Sequence, residues 1–144
     1  MISKFVSGSE EEFVKQMNEK AHKLGMKNST FNNPSGLDET DGNYSSSYDM
    51  ALLMREALKY EEFRRITSTK KYKLKTNYKT YIWNNKNKLL ANDFIIGGKT
   101  GYTKKAGRTL VSAANIDNNT FIVVTIKDSD DWNTHLSLYD TIRG

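Results

Sequence analysis

The sequence predicts an α/β protein of the α+β type, in which a mainly helical part (1–68) precedes a hairpin, a three-stranded antiparallel meander and a final helix (69–144). Before residue 69, apolar residues recur with helical spacing. From Thr69 onward they alternate with polar residues, which is typical of strands with one buried face. Short polar links join the later strands, and short links favour antiparallel pairing.

Composition narrows the possible functions. The 144 residues suffice for one domain, or for one large piece of a domain. With no cysteine and only two histidines, neither a disulfide nor a metal or other cofactor is expected. No apolar run reaches the roughly 20 residues that span a bilayer, and 1–6 lacks the apolar core of a signal peptide. The net charge of +5 would suit a polyanionic partner, although a solvated surface is the commoner reason for such a charge.

Three helices are predicted before residue 69. Two of them begin at capping boxes, Ser9 with Glu12 and Ser46 with Asp49, in which side chains satisfy free backbone N–H groups. Gly25 is placed to end the first helix. The predicted helices cover 9–24, 50–58 and 61–66, and the polar stretch 32–47 is predicted to be a long ordered loop.

Five strands are predicted after the helices, at 69–76, 78–83, 94–103, 108–116 and 120–127. The first two form a hairpin around Asn77, where lysines alternate with Tyr72 and Leu74 as in a strand with one wet face. In the fifth strand both alternating sets are apolar, which predicts that both of its faces are covered. A last helix, capped by Ser129, can cover only one of them.

The triplet Lys99-Thr100-Gly101 lies in the third predicted strand. The Lys99 ammonium and the Thr100 hydroxyl could together hold a carboxylate, and Gly101, like Gly97 and Gly98, would let a backbone or a ligand approach closely. A ligand laid along an edge strand would also use the peptide groups of the strand. A glycine-rich strand segment with one lysine also fits a β-bulge, so the triplet alone leaves both interpretations open.

The surrounding sequence favours the ligand-binding interpretation. The segments "VSGSEEEFVKQMNEKAHKLGMKNSTFNNPSGLD", "YSSSYDMALLMREALKYEEFRRITSTKKY", "NKNKLL" and "GGKTGYTKKAGRTLVSAA" occur in this order. Together they resemble the low-molecular-mass serine D-alanyl-D-alanine carboxypeptidases, which are penicillin-binding proteins, over nearly the whole chain. A β-lactamase fits them less well. The resemblance implies part of a β-lactamase/transpeptidase-like domain that acts on peptidoglycan stem peptides ending in D-Ala-D-Ala, binds β-lactams and works outside the cytoplasmic membrane, in a bacterial cell envelope.

The resemblance also implies roles for the residues of the third strand. Lys99 would stand beside the nucleophile and support proton transfer, and Thr100 would bind the terminal carboxylate of the substrate. Gly101 would permit the close approach, and Thr103 would belong to the same substrate-binding strand. The backbone N–H of Tyr102 would be one of two oxyanion donors, and removing such a donor typically raises the barrier by about 3–4 kcal/mol.

The nucleophile of the family, in Ser-x-x-Lys, and its Ser-x-Asn element are expected upstream of this sequence. The one literal Ser-x-x-Lys, from Ser68 to Lys71, precedes an alternating strand, so Ser68 is not expected to be a nucleophile. No Ser-x-Asn triplet occurs. We therefore expect the chain alone to be inactive, without the N-terminal strands and the nucleophile helix. The family-like segments 33–37 and 45–49 are interpreted as structural loop and cap residues.

The start of the last helix departs from the family, many of whose members carry an arginine there that helps to hold the substrate carboxylate. The stretch reads Asp131-Trp132-Asn133-Thr134-His135 in this chain. Carboxylate binding would then depend more on Thr100 and Lys99, with His135 as a candidate contributor if it is protonated. An ordinary exposed helix position is the favoured interpretation of His135.

The resemblance also bears on association with other molecules. Without the N-terminal strands, the strand 120–127 would have an open edge, which predicts self-association or low stability. Outside the family, the alternative is a non-catalytic basic module that binds anionic wall polymer or nucleic acid. Specific nucleic-acid binding is not expected, because the sequence shows no aromatic-plus-basic RNA-binding motif.

Overall fold

The structure is a computed structural model that describes residues 2–38 and 42–144. Its helices are α1 (Ile2–Ser7), α2 (Glu10–Lys23), α3 (Ser47–Ala57), α4 (Glu61–Ser68) and α5 (Asp131–Arg143). Its strands are β1 (Lys71–Lys75), β2 (Thr80–Asn84), β3 (Ile95–Thr103), β4 (Gly107–Ile116) and β5 (Asn119–Ile126), with a 3₁₀ turn (Lys88–Ala91) before β3. The predicted helices and strands are present in the predicted order, and α1 is an additional helix. None of the described helices is long and apolar enough to cross a membrane.

The predicted caps begin both long helices of the first part. The Ser9 hydroxyl accepts a hydrogen bond from the Glu12 N–H at 3.0 Å, and the Ser46 hydroxyl accepts one from the Asp49 N–H at 3.2 Å. Gly25 follows α2 with φ +77°, the left-handed conformation that glycine adopts at helix ends without steric cost. These local signals therefore fix where α2 and α3 begin and where α2 ends.

The loop between α2 and α3 is held by its own side chains. The side-chain oxygen of Asn33 accepts hydrogen bonds from the Gly36 N–H at 2.8 Å and from the Asn43 amide at 3.0 Å. The structural interpretation of Asn33 is therefore confirmed. Residues 39–41, part of the predicted loop, lie outside the described residues.

The three long strands form an antiparallel sheet in the order β3-β4-β5, so both β3 and β5 are edge strands. On one face, α3 and α4 cover a core that includes Met54, Val111 and Ala113. On the other face, α5 and the 3₁₀ turn cover a core that includes Leu110 and Tyr139. The prediction that β5 is covered on both faces is confirmed, since α3 contacts one face and α5 the other.

The β1–β2 hairpin forms a separate two-stranded sheet and differs from its prediction. Tyr72 and Leu74 were expected on a buried face, but they are 52% and 40% exposed. Instead of entering a core, the aromatic rings stack on one another. The Trp83 ring centre lies 6.2 Å from that of Tyr72 and 5.3 Å from that of Tyr81. Tyr72 faces Trp83 across the two strands, and Tyr81 stacks beside Trp83 on β2. Such aromatic contacts stabilise a hairpin without a core, which explains the alternating pattern of these strands.

His135 is fully buried, so the expectation of an exposed helix position is wrong. One ring nitrogen hydrogen-bonds the Ser112 hydroxyl at 2.7 Å and the other hydrogen-bonds the Thr125 hydroxyl at 3.1 Å. Ser112 also hydrogen-bonds the Tyr139 hydroxyl at 2.8 Å. Burial lowers the pKa of His135 to about 4, so the ring is neutral at pH 7 and both nitrogens have partners from the protein itself.

The lowered pKa of His135 predicts a loss of stability in acid. Below pH 6.5 the unfolded chain takes up a proton that the folded protein does not, so the free energy of unfolding falls as the pH decreases from 6.5 to about 4. The loss should be on the order of 3 kcal/mol, because one pKa unit corresponds to about 1.4 kcal/mol. Urea unfolding at a series of pH values measures it.

Two variants isolate this histidine. His135→Gln can bridge the same two hydroxyls but does not titrate, so it should flatten the profile between pH 6.5 and 4. His22→Gln, a change at an exposed position of α2, should leave the profile unchanged. A His135→Gln profile as steep as that of the unmodified chain would show that another group causes the acid sensitivity.

Candidate active site

The Lys-Thr-Gly triplet lies on β3 at a free edge of the sheet, because β3 pairs with β4 on one side only. The first half of β3 is covered by α4, and a Cβ added to Gly97 would lie 2.4 Å from the Thr67 hydroxyl oxygen. The second half, from Lys99 to Thr103, borders an open cleft of about 1370 Å³. The strand is therefore accessible where the triplet stands.

The glycines of β3 make room first for atoms of the protein itself. A Cβ on Gly98 would lie 2.5 Å from the Val111 carbonyl oxygen, and a Cβ on Gly101 would lie 2.4 Å from the Thr109 hydroxyl oxygen. Gly97 and Gly98 are buried, so the close approach expected at these two positions is made by the protein itself and not by a ligand. The pairing register also shifts between Ile95 and Gly97, so the β-bulge is present. Only Gly101 combines a close contact with access to the cleft.

Neighbouring residues of β3 project to opposite faces of the sheet. Thr100 pairs with Leu110, whose side chain lies in the core under α5, whereas Lys99 pairs with Val111, which lies in the core under α3 and α4. The Lys99 ammonium donates a hydrogen bond to the Thr100 carbonyl oxygen. The two side chains therefore approach a ligand at the strand edge from opposite faces, rather than forming one joint carboxylate site as expected from their adjacency.

Arg108 is a site residue that the sequence analysis missed. It pairs with Tyr102 on the neighbouring strand, which places it on the same face as Thr100. Its Nε and Nη2 donate to one carboxylate oxygen of Asp131 at 3.1 and 2.5 Å, and its guanidinium lies 5.3 Å from the Trp132 ring centre. The hydrogen bonds that Arg108 donates to the Asp131 carboxylate raise the pKa of Arg108 above its usual value. The alternation of residues along the strand, together with the acidic residue at the start of the last helix, could have identified Arg108 from the sequence.

The cleft brings together all five predicted residues of β3. Its lining includes Lys99, Thr100, Gly101, Tyr102 and Thr103, and it does not include His135. The Tyr102 side chain is 71% exposed, and the Thr103 hydroxyl accepts the Ala106 N–H at 3.0 Å in the turn that follows. Among the residues that the structure describes, six basic and two acidic ones line the cleft, namely Lys86, Lys88, Lys99, Lys105, Arg108 and Lys127 against Asp38 and Asp131. The described lining of the cleft is therefore cationic.

Ser68 does not have the geometry of a nucleophile activated by a lysine one helical turn away. It is the last residue of α4, and Lys71 is the first residue of β1. The Ser68 hydroxyl donates to the Arg65 carbonyl oxygen at 3.3 Å within its own helix. A lysine that takes the serine proton must face it from the same helix, and the end of α4 between the two residues prevents this.

Comparison with known proteins identifies the family. A family model described as D-alanyl-D-alanine carboxypeptidase matches residues 1–130. The chain belongs to the D-alanyl-D-alanine carboxypeptidase family. It is 46% identical over 125 residues to the carboxypeptidase DacF of Bacillus subtilis, an alignment that covers 85% of this chain and 32% of that protein. The resemblance seen in the sequence is confirmed, and the alternative of a non-catalytic basic module is not supported.

Solved structures of similar proteins agree with this family. A D-alanyl-D-alanine carboxypeptidase from Mycobacterium tuberculosis superimposes with a TM-score of 0.85 at 28% identity, covering 95% of this chain and 55% of that one. The DD-transpeptidase of Streptomyces K15 gives 0.74 at 32% identity, covering 81% and 47%. The chain has the mixed α+β fold of these carboxypeptidases and transpeptidases. It spans about a third of the curated relative and about half of the solved chains.

Proposed function

We propose that this chain supplies the substrate-binding strand of a serine D-Ala-D-Ala carboxypeptidase, an enzyme that removes the terminal D-Ala of peptidoglycan stem peptides. The observation that carries the proposal is the free edge of β3, where Lys-Thr-Gly borders a cationic cleft in a chain of this family. An extended peptide can add to such an edge through backbone hydrogen bonds, and its terminal carboxylate suits the positive charge of the cleft.

In this proposal the side chains on the two faces of β3 have different roles. On one face, the Thr100 hydroxyl binds the terminal carboxylate, together with Arg108, which Asp131 holds in position. Arg108 thus takes the place of the arginine that many relatives carry at the start of the last helix. On the other face, Lys99 supports proton transfer at the nucleophile. The Tyr102 N–H donates to the oxyanion.

The nucleophilic serine is proposed to lie in a part of the enzyme outside these 144 residues. Among residues 2–38 and 42–144, no serine begins a helix with a lysine one turn later. In the complete enzyme the serine oxygen attacks the carbonyl carbon between the two D-Ala residues, and the leaving amine takes up a proton. Water then hydrolyses the acyl-serine ester and regenerates the serine.

The location follows from the proposed substrate. Because peptidoglycan lies outside the cytoplasmic membrane, we propose that the enzyme works in the bacterial cell envelope. The same site is proposed to react with β-lactams, whose carboxylate would occupy the position of the terminal D-Ala carboxylate beside Thr100.

Labelling with a fluorescent penicillin tests this function. The chain alone should remain unlabelled, whereas a chain preceded by an upstream segment that carries Ser-x-x-Lys and Ser-x-Asn should be labelled at the upstream serine. In that longer protein Thr100→Val should slow acylation about tenfold or more, because a hydrogen bond to a charged group contributes about 1.5–3 kcal/mol. Thr120→Val, at an exposed position of β5, is the matched control and should not change the rate.

Two outcomes would contradict the proposal. Covalent labelling of the chain alone, mapped to Ser68 by mass spectrometry, would mean that a nucleophile is present here. Equal acylation rates for the unmodified longer protein and its Thr100→Val variant would mean that Thr100 does not bind the carboxylate.

We further propose that the open edge of β5 allows the 144-residue chain to self-associate. β5 pairs only with β4 in the described sheet, and Ile126 at its end is 41% exposed. An edge strand with unpaired backbone groups can pair with a second copy. Sedimentation velocity at increasing concentration should therefore show a growing dimer, and a stable, monodisperse monomer over the whole range would contradict this proposal.

A further inference from the structure

The coverage of β3 determines the direction in which a peptide can run along it. Toward Ile95 one face of the strand is covered, because α4 packs on it and Thr67 lies against the buried Gly97. Toward Thr103 the strand borders the cleft. If the terminal carboxylate lies beside Thr100, as the proposed function requires, the residues that precede D-Ala-D-Ala run toward the turn between β3 and β4.

The rise per residue of an extended peptide places the residues that precede its D-Ala-D-Ala end at that turn. Strands rise about 3.3 Å per residue, so a peptide on β3 advances by about one residue for each residue of the strand. With its last residue beside Thr100, its third and fourth residues from the end lie near Tyr102 and Thr103. Their side chains therefore meet whatever the protein presents at the end of β3.

Lys127 is one of two lysines of the cleft lining at this end, the other being Lys105 in the turn itself. The Cγ of Lys127 lies 3.2 Å from the point where a Cβ on Gly107 would stand, and Gly107 pairs with Thr103. The absence of a side chain at Gly107, which has φ +70°, allows the Lys127 stem to lie across the β3–β4 turn. Lys127 itself has φ +57°, which directs the chain away from β5 toward α5.

The charge of Lys127 has no ion-pair partner in the part of the chain that the structure describes, residues 2–38 and 42–144. Asp131, the acidic residue of the lining closest to it in sequence, already accepts both hydrogen bonds from Arg108. The exposed Lys127 side chain is therefore available to a carboxylate of the substrate.

We infer that Lys127 is a specificity residue, which pairs with a carboxylate on one of the two residues that precede D-Ala-D-Ala. The inference rests on the proposed function and deepens it. The cleft would select stem peptides with a free carboxylate upstream of the scissile bond over peptides in which that group is a carboxamide.

Four peptides test this inference on the 144-residue chain. They carry either carboxylates or carboxamides on both residues before the terminal pair, and end in D-Ala-D-Ala or L-Ala-L-Ala. Affinities are measured by fluorescence anisotropy at low and at physiological salt. Of the two D-Ala-D-Ala peptides, the carboxylate form should bind about two- to five-fold more tightly, as for a single exposed ion pair, and less so at higher salt.

Charge variants assign the preference to one side chain. Lys127→Gln, which keeps most of the stem, should abolish the preference for the carboxylate, and Lys127→Glu should reverse it. Lys73→Glu, at an exposed position of the β1–β2 hairpin outside the cleft, makes the same charge change and should leave the preference intact.

The outcomes separate this inference from the function on which it rests. The inference would be overturned by equal affinity for the two D-Ala-D-Ala peptides, or by a preference for the carboxylate that survives Lys127→Glu. In either case, tighter binding of D-Ala-D-Ala than of L-Ala-L-Ala peptides would still support the proposed function. Equal binding of D-Ala and L-Ala ends, or no binding of any peptide, would overturn both.

Discussion

The one-sided pairing of β3 with β4 is the constraint on which the rest of the structure depends. β4 is the central strand, and Leu110, Ser112, Ala113 and Ala114 on it are fully buried between the two helical layers. This pairing sets the register that places Arg108 opposite Tyr102. It also leaves the outer edge of β3 free, while α4 covers one face of the strand before the triplet.

The buried polar cluster beneath the sheet connects this strand pairing to the cleft. Ser112 hydrogen-bonds both His135 and Tyr139, so it fixes α5 against the sheet at a defined rotation and height. The first residue of that helix is Asp131, which orients Arg108. Burial raises the pKa of Tyr139 to about 12, so the cluster is uncharged around pH 7 and adds no charge beneath a cationic cleft.

Local chemistry made much of this fold predictable, and long-range contacts account for what was missed. The capping boxes at Ser9 and Ser46 and the alternation of the meander strands act within a few residues, so the sequence displays them directly. The exposed hairpin was misjudged because alternation does not distinguish burial in a core from stacking around Trp83. His135 was predicted to be exposed because helical spacing identifies the buried face of a helix but not the partners that a polar residue finds there. Its hydrogen-bond partners, Ser112 and Thr125, are distant in sequence. The pairing of Arg108 with Asp131 was missed for the same reason.

The central claim is that the second half of β3 is a peptide-binding edge, and backbone amide NMR tests it most directly. A D-Ala-D-Ala peptide is titrated into the isotope-labelled chain and the amide chemical shifts of both edge strands are followed. The account predicts shifts concentrated at Lys99–Thr103, with the amides of Asn119–Ile126 unchanged. Shifts confined to β5, or the same shifts with an L-Ala-L-Ala peptide, would contradict it.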